Sequence, residues 1–188
     1  MPGVEQIFLL RHGTAEEKDP KPLSETGISE ATFTANALLA HLELQGEFLP
    51  KYATGEPIAV KLFHSGKERA AQTSSIVAEK LTGAKCETSE QVAADELAPD
   101  ADVSLAAKMV EGASTPLVVL VGHLPLLHKL AGALGVETTS ADNFCPAGGL
   151  LLRATDDGKW GLAHVVLPNV NWWMRGVSVH VRADADDD

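Results

Sequence analysis

Two histidines in this 188-residue chain sit where open α/β sheets carry out chemistry. His12 ends the apolar run Phe8-Leu9-Leu10 and lies between Arg11 and Gly13, while His123 follows the run Leu117-Val118-Val119-Leu120-Val121-Gly122. A buried strand that stops at such a residue delivers its side chain to the sheet edge where these sheets bind ligands. A neutral imidazole is a nucleophile, a guanidinium beside it is a permanently charged fork that suits phosphate, and a glycine lets the backbone turn tightly. His12 is therefore the candidate nucleophile of a phosphate-handling site. A third stretch, His64-Ser65-Gly66-Lys67-Glu68-Arg69-Ala70-Ala71-Gln72-Thr73, follows an apolar strand pattern. A helix starting there, with Ser65 as its cap, would aim free N–H groups and a positive dipole end at an anion. Arg69 in its first turn opposes that dipole, a cost that a bound anion would explain.

The elements that must position these groups follow from the pattern along the chain. Residues 4–10 predict a first strand, and Asp19, Pro20 and Pro22 delay any helix until Leu23. Ser24 is placed as an N-cap, and Ile28, Ala31, Ala35, Leu38, Leu39 and Leu42 recur at helical spacing, predicting an inward-facing helix over 25–44 with His41 at its surface. A loop over 46–57 leads to a strand at 58–63, and the helix after it, with Ala70, Ile76, Val77 and Leu81 inward, stops at Gly83. A short edge strand over 85–93 and an acidic loop over 95–102 precede a helix at 103–111. The run 117–121 predicts a central parallel strand, followed by a helix over 126–134 that Gly135 ends. Strands at 150–154 and 160–167 around Asp156-Asp157-Gly158 form a hairpin at the sheet edge. Residues 169–174, with Trp172 and Trp173, are expected to pack back on the body, and Val177, Val179 and Val181 alternate as a last short strand.

Bulk properties narrow the function classes. A chain that is 45% hydrophobic and 22% charged is ordinary for one globular domain, here read as 1–182. Four of the acids behind the net charge of -11 sit at the terminus, so 183–188 is expected to be a disordered acidic tail. That balance argues against a nucleic-acid partner. Cys86 and Cys145 make neither a disulfide framework nor a metal-ligand spacing, and no stretch approaches the ~20 apolar residues of a membrane span. With no signal-peptide pattern at the start, the expected location is the cytoplasm.

Taken together, five motifs in order carry a resemblance: Leu10-Arg11-His12-Gly13, Pro22-Leu23-Ser24 with Gly27, the stretch from His64 to Thr73, Val121-Gly122-His123-Leu124-Pro125, and Gly148-Gly149. The sequence resembles the histidine phosphatase superfamily, whose members are phosphoglycerate mutase-like, and most resembles the small SixA-type phosphohistidine phosphatases. The resemblance spans about residues 4–167. It implies a three-layer α/β/α sandwich with a mostly parallel central sheet and a metal-free, cofactor-free site at the C-terminal ends of the strands. It also implies that His12 becomes phosphorylated while Arg11, Arg69 and His123 hold the transferring group, with Ser65 and Lys67 as secondary phosphate contacts. His128, His164 and His180 match no position of the family.

Larger members protonate the leaving alkoxide with a carboxylic acid placed between the second motif and the second histidine. In that interval this chain offers Asp95, Glu96, Asp100 and Asp102, of which Glu96 and Asp95 are the candidates for a general acid, though no pattern assigns the role. The chain also lacks the insertions that build a lid, so an open pocket is expected, suited to a phosphoryl group displayed on a protein. The leading expectation is a phosphohistidine phosphatase acting on a phosphorylated protein. A small-molecule phosphomonoesterase is the alternative, and a non-catalytic phosphoprotein-binding domain would have lost His12, Arg69 or His123, all of which are present.

Overall fold

The computed structural model describes residues 3–44, 56–84, 86–138 and 141–168. The expected loop at 46–57 lies mostly outside these residues; Trp172, Trp173, the strand around Val179 and the tail 183–188 lie wholly outside them.

Six strands form one sheet: β1 Gln6–Arg11, β2 Ile58–His64, β3 Cys86–Ala93, β4 Leu117–Gly122, β5 Gly149–Ala154 and β6 Trp160–Val166, in the order β3-β2-β4-β1-β5-β6. The pairs β3–β2, β2–β4 and β4–β1 are parallel, while β1–β5 and β5–β6 are antiparallel. Each parallel strand therefore ends at the same edge, which is why Arg11 stands opposite Gly122 and His64 opposite Val121. As expected from its apolar run, β4 is central and buried along its whole length.

Alternation along the strands separates two cores. Phe8, Leu10, Val60, Leu62, Val119 and Val121 face helices α1 Glu25–Leu44 and α2 Glu68–Thr82, meeting Ala35, Leu38, Leu42, Val77 and Leu81. Ile7, Leu9, Phe63, Val118 and Leu120 face α3 Val103–Glu111 and α4 Leu126–Ala133, meeting Ala106, Val110, Leu127 and Leu130. The result is the three-layer α/β/α arrangement with a mostly parallel sheet. Each fully buried leucine or valine here contributes about 1.5–3 kcal/mol, so both layers are held to the sheet over their length. Among the described residues no helix is long and apolar enough to cross a membrane.

Side-chain caps explain the starts of α1 and α3. Ser24 Oγ accepts from Gly27 N at 3.1 Å and starts α1, and Asp102 accepts from Ser104 N and starts α3. Other details depart from expectation. Ile28 is 48% exposed rather than inward, because the buried stripe of α1 runs through Gly27, Glu30, Ala31, Thr34, Ala35, Leu38 and Leu42. His41 is half-buried instead of lying free on the surface; its ring stacks on His164 of β6 at 4.8 Å, and burial pushes it down to about 4. Ser65 does not cap α2. Gly66 takes φ +75°, which delays the helix to Glu68 and leaves Lys67 as an N-cap with no side-chain bond.

Candidate active site

Three backbone hydrogen bonds fix the His12 segment at the strand ends. His12 N donates to Gly122 O at 3.2 Å, Arg11 N donates to Gly148 O at 3.0 Å, and Ala147 N donates to His12 O at 3.1 Å. The turn after His12 also presses against the start of α1: a Cβ on Gly13 would lie 2.7 Å from Gly27 O, and a Cβ on Gly27 would collide with Thr14 O. Two glycines are needed where these backbones cross. Gly13 N donates to Thr73 Oγ1 at 3.1 Å, and Leu23 N donates to Gln72 Oε1 at 2.7 Å, so α2 braces both segments.

Inside this frame the His12 ring is held from both sides. Its Nδ1 lies 2.7 Å from Gly13 O, and a carbonyl only accepts, so Nδ1 carries the proton and Nε2 keeps its lone pair. Arg69 Nε donates to that Nε2 at 3.1 Å. Burial drives His12 down to about 4, with Arg69 and Arg11 adding to the depression while the Gly13 bond and Glu30 oppose it. The ring is thus neutral and nucleophilic at pH 7. His123, 3% exposed, packs its ring 4.7 Å from that of His12 at 53°. Burial lowers it further, to about 3, helped by His12, Arg69, Lys67 and Arg11. Ser65 Oγ sits 2.6 Å from His123 Nε2, buried, so the hydroxyl placed as a cap in the sequence fixes this imidazole instead.

Arg11 points to the other face of β1, where Nη1 donates to Phe144 O at 2.9 Å. Its Nε is buried without a hydrogen-bond partner. Among the described residues neither Arg11 nor Arg69 is neutralised by a carboxylate, and partial burial lowers the pKa of Arg69. Arg69 on the imidazole lone pair and the charge of Arg11 at the same strand end make a site that favours an oxyanion. Arg11, His12, Arg69, His123 and Ser65 are brought together. Lys67 is exposed at the N-cap of α2, close enough for its charge to act on His123, and lines an open cleft of about 530 Å³ with Lys21, Asp19, Glu68 and Arg69.

The acidic candidates lie on the segment that follows β3. Asp95 and Glu96 lie in a short 3-10 turn, Asp95–Leu97, that follows β3 and rests on the end of β4, where Leu97 O lies 3.5 Å from the position a Gly122 Cβ would take. Among the described residues neither carboxylate has a hydrogen-bond or ion-pair partner. Asp102 is the α3 cap. His128 lies off the site, with Nδ1 3.2 Å from Thr138 Oγ1 and its ring edge-on to Phe144, while His180 lies outside the described residues. His64 accepts from Gly66 N through Nδ1 at 3.1 Å and shapes the turn before α2. Among the described residues no group of three or more His, Cys, Asp or Glu side chains is placed to hold a metal ion.

Sequence reasoning missed Glu30. It is 4% exposed, accepts from Thr14 N at 2.8 Å and from Thr14 Oγ1 at 3.0 Å, and ties α1 to the His12 turn. Its position on the buried stripe of α1 was the available signal, since a glutamate there must find a partner.

The chain matches no protein-family model and no curated protein. Solved structures do match along most of its length. The protein histidine phosphatase SixA complexed with tungstate is 25% identical, with 87% of this chain and 97% of that one covered at a TM-score of 0.63. A SixA-type protein from Agrobacterium tumefaciens is 22% identical over 88% of this chain and 99% of that one, at 0.59. A phosphoglycerate mutase from Plasmodium falciparum is 19% identical over 86% and 90%, at 0.55. In fold, the chain matches SixA-type phosphohistidine phosphatases and phosphoglycerate mutases, the structures of the histidine phosphatase superfamily.

Proposed function

We propose that the protein is a phosphatase that works through a phosphohistidine formed on His12, and that its substrate is a phosphohistidine on another protein. One observation carries the reading: the lone pair of His12 Nε2 faces the Arg69 guanidinium, with a second un-neutralised arginine and a neutral histidine at the same strand ends. Phosphoryl transfer asks for in-line positioning and neutralisation of the equatorial oxygens, which Arg11, Arg69 and His123 can supply. His12 Nε2 attacks phosphorus, the bond to the leaving group breaks with its electron pair on that atom, and water then releases phosphate and restores His12. The similarity to a SixA structure that holds tungstate, a tetrahedral oxyanion, supports the same reading.

The leaving group separates the two candidate substrates. An alkoxide is a strong base that must be protonated as it leaves, whereas imidazole is weak and can take its proton from solvent. A site of two arginines and two histidines, whose Arg69 also lines an open cleft, suits phosphohistidine on a protein. The small-molecule reading has one observation in its favour, the Asp95–Leu97 turn resting on β4 beside His123. A panel of phosphohistidine, phosphoserine and phosphotyrosine peptides with sugar phosphates decides between them. Phosphohistidine is expected to be cleaved far faster than the rest. Robust turnover of sugar phosphates or phosphoserine, abolished by Glu96→Gln or Asp95→Asn in a folded protein, would establish the alternative.

A further inference from the structure

The two hydrogen bonds that Glu30 and His12 make to the turn after His12 belong to one peptide group. Glu30 Oε2 accepts from Thr14 N at 2.8 Å, and Gly13 O accepts from His12 Nδ1 at 2.7 Å. That carbonyl and that N–H are the two ends of the trans Gly13–Thr14 amide, which point in opposite directions. On the far side of the ring Arg69 Nε donates to Nε2 at 3.1 Å. Every donor in this row points the same way, from the arginine cation through imidazole and amide to the carboxylate. Aligned hydrogen bonds polarise one another, and burial of Glu30 at 4% exposure keeps water from damping the effect.

We propose that Glu30 acts on the nucleophile through the Gly13–Thr14 peptide, holding the proton on His12 Nδ1 and stabilising the cationic ring formed when Nε2 bonds to phosphorus. The inference rests on His12 being the nucleophile. During attack the Nε2–P bond forms, the leaving group departs with its electrons, and the Nδ1 proton stays on the ring. No proton passes to Glu30 in this step. Its charge reaches the ring through space and through the polarised amide, without touching the reacting atoms, so it is a positioning residue with an electrostatic task. The charged or titratable groups around the ring are Arg11, Arg69, His123 and Glu30, and of these Glu30 alone favours the cation.

A structural clamp alone would make a different set of results. Glu30→Gln keeps the side-chain shape and an oxygen for Thr14 N, while Thr14→Val removes only the hydroxyl bond at 3.0 Å. Nitrogen-15 NMR of the resting protein reads His12 without any substrate, and rapid quench with phosphoramidate reads phosphoenzyme formation. Glu30→Gln is expected to shift the His12 titration to lower pH and slow phosphorylation about tenfold with KM little changed, the worth of roughly one hydrogen bond to developing charge. Thr14→Val is expected to leave the titration in place. Should Glu30→Gln titrate and react like the wild type, or Thr14→Val match its effect, the electrostatic role is refuted and only the clamp remains. If Glu30→Gln does not fold, the wild-type spectrum decides, because His12 must carry its proton on Nδ1; a proton found on Nε2 overturns the proposal. Absence of any phosphoenzyme in the wild type would instead reject His12 as nucleophile, and the NMR titration would still judge the hydrogen-bonded row.

Discussion

At the scale of single residues, the site combines a neutral nucleophile with cations that no acid among the described residues neutralises. Burial leaves His12 unprotonated well below neutrality, so its lone pair is available across the physiological range without a separate base. Arg69 meets that lone pair directly, while Arg11 brings an unpartnered buried Nε to the same strand end. Removing a donor to developing charge commonly costs two to three orders of magnitude. Arg11→Ala, Arg69→Ala and His123→Ala are each expected to lower kcat by about a hundredfold or more in folded protein. Ser65→Ala should cost less, about tenfold, because it frees the His123 ring without removing it. Steady-state kinetics alongside circular dichroism checks the set. Wild-type turnover by Arg69→Ala would mean that α2 merely starts there and that the phosphate pocket lies elsewhere.

At the scale of elements, the strand ends were legible because buried runs stop abruptly at chemistry-bearing residues. β4, α1 and α3 fall where periodicity and caps place them. The start of α2 was not legible: a serine after a strand can cap a helix or bond across space, and the partner at His123 is 58 residues away. Glu30 was hidden for the same reason, since its bonds to Thr14 cross from a helix to a loop. The Gly27 motif likewise became intelligible only when the backbone crossing with the His12 turn was seen. Gly27→Ala forces a methyl group onto Thr14 O, where only backbone can yield. It is expected to cost about 1–3 kcal/mol in chemical denaturation and to reduce activity by displacing the turn that carries His12. A variant as stable and active as the wild type would show that the two segments separate freely.

For the whole molecule, one buried imidazole, His123, and two partly buried ones, His12 and His41, make folding pH-dependent. His12 and His41 are lowered to about 4 and His123 to about 3, against an ordinary value near 6.5 in the unfolded chain. Between those values the unfolded chain binds more protons than the folded one, so stability is fully present above about pH 6.5 and is lost as pH falls toward about 4. Thermal unfolding at pH 7, 6 and 5 should therefore show a falling midpoint before most carboxylates titrate. A midpoint unchanged across that range would mean that these rings are not kept neutral by the fold.

The three layers, the shared strand edge and the glycine crossing all converge on one atom, His12 Nε2. Its phosphorylation is the most direct test: turnover stopped under conditions that spare acid-labile phosphate, followed by mass spectrometry of the digested chain. Phosphate on the His12 peptide alone, absent from His12→Ala along with all turnover, is the expected result. A label on His123 or another residue, or full activity in His12→Ala, would contradict it.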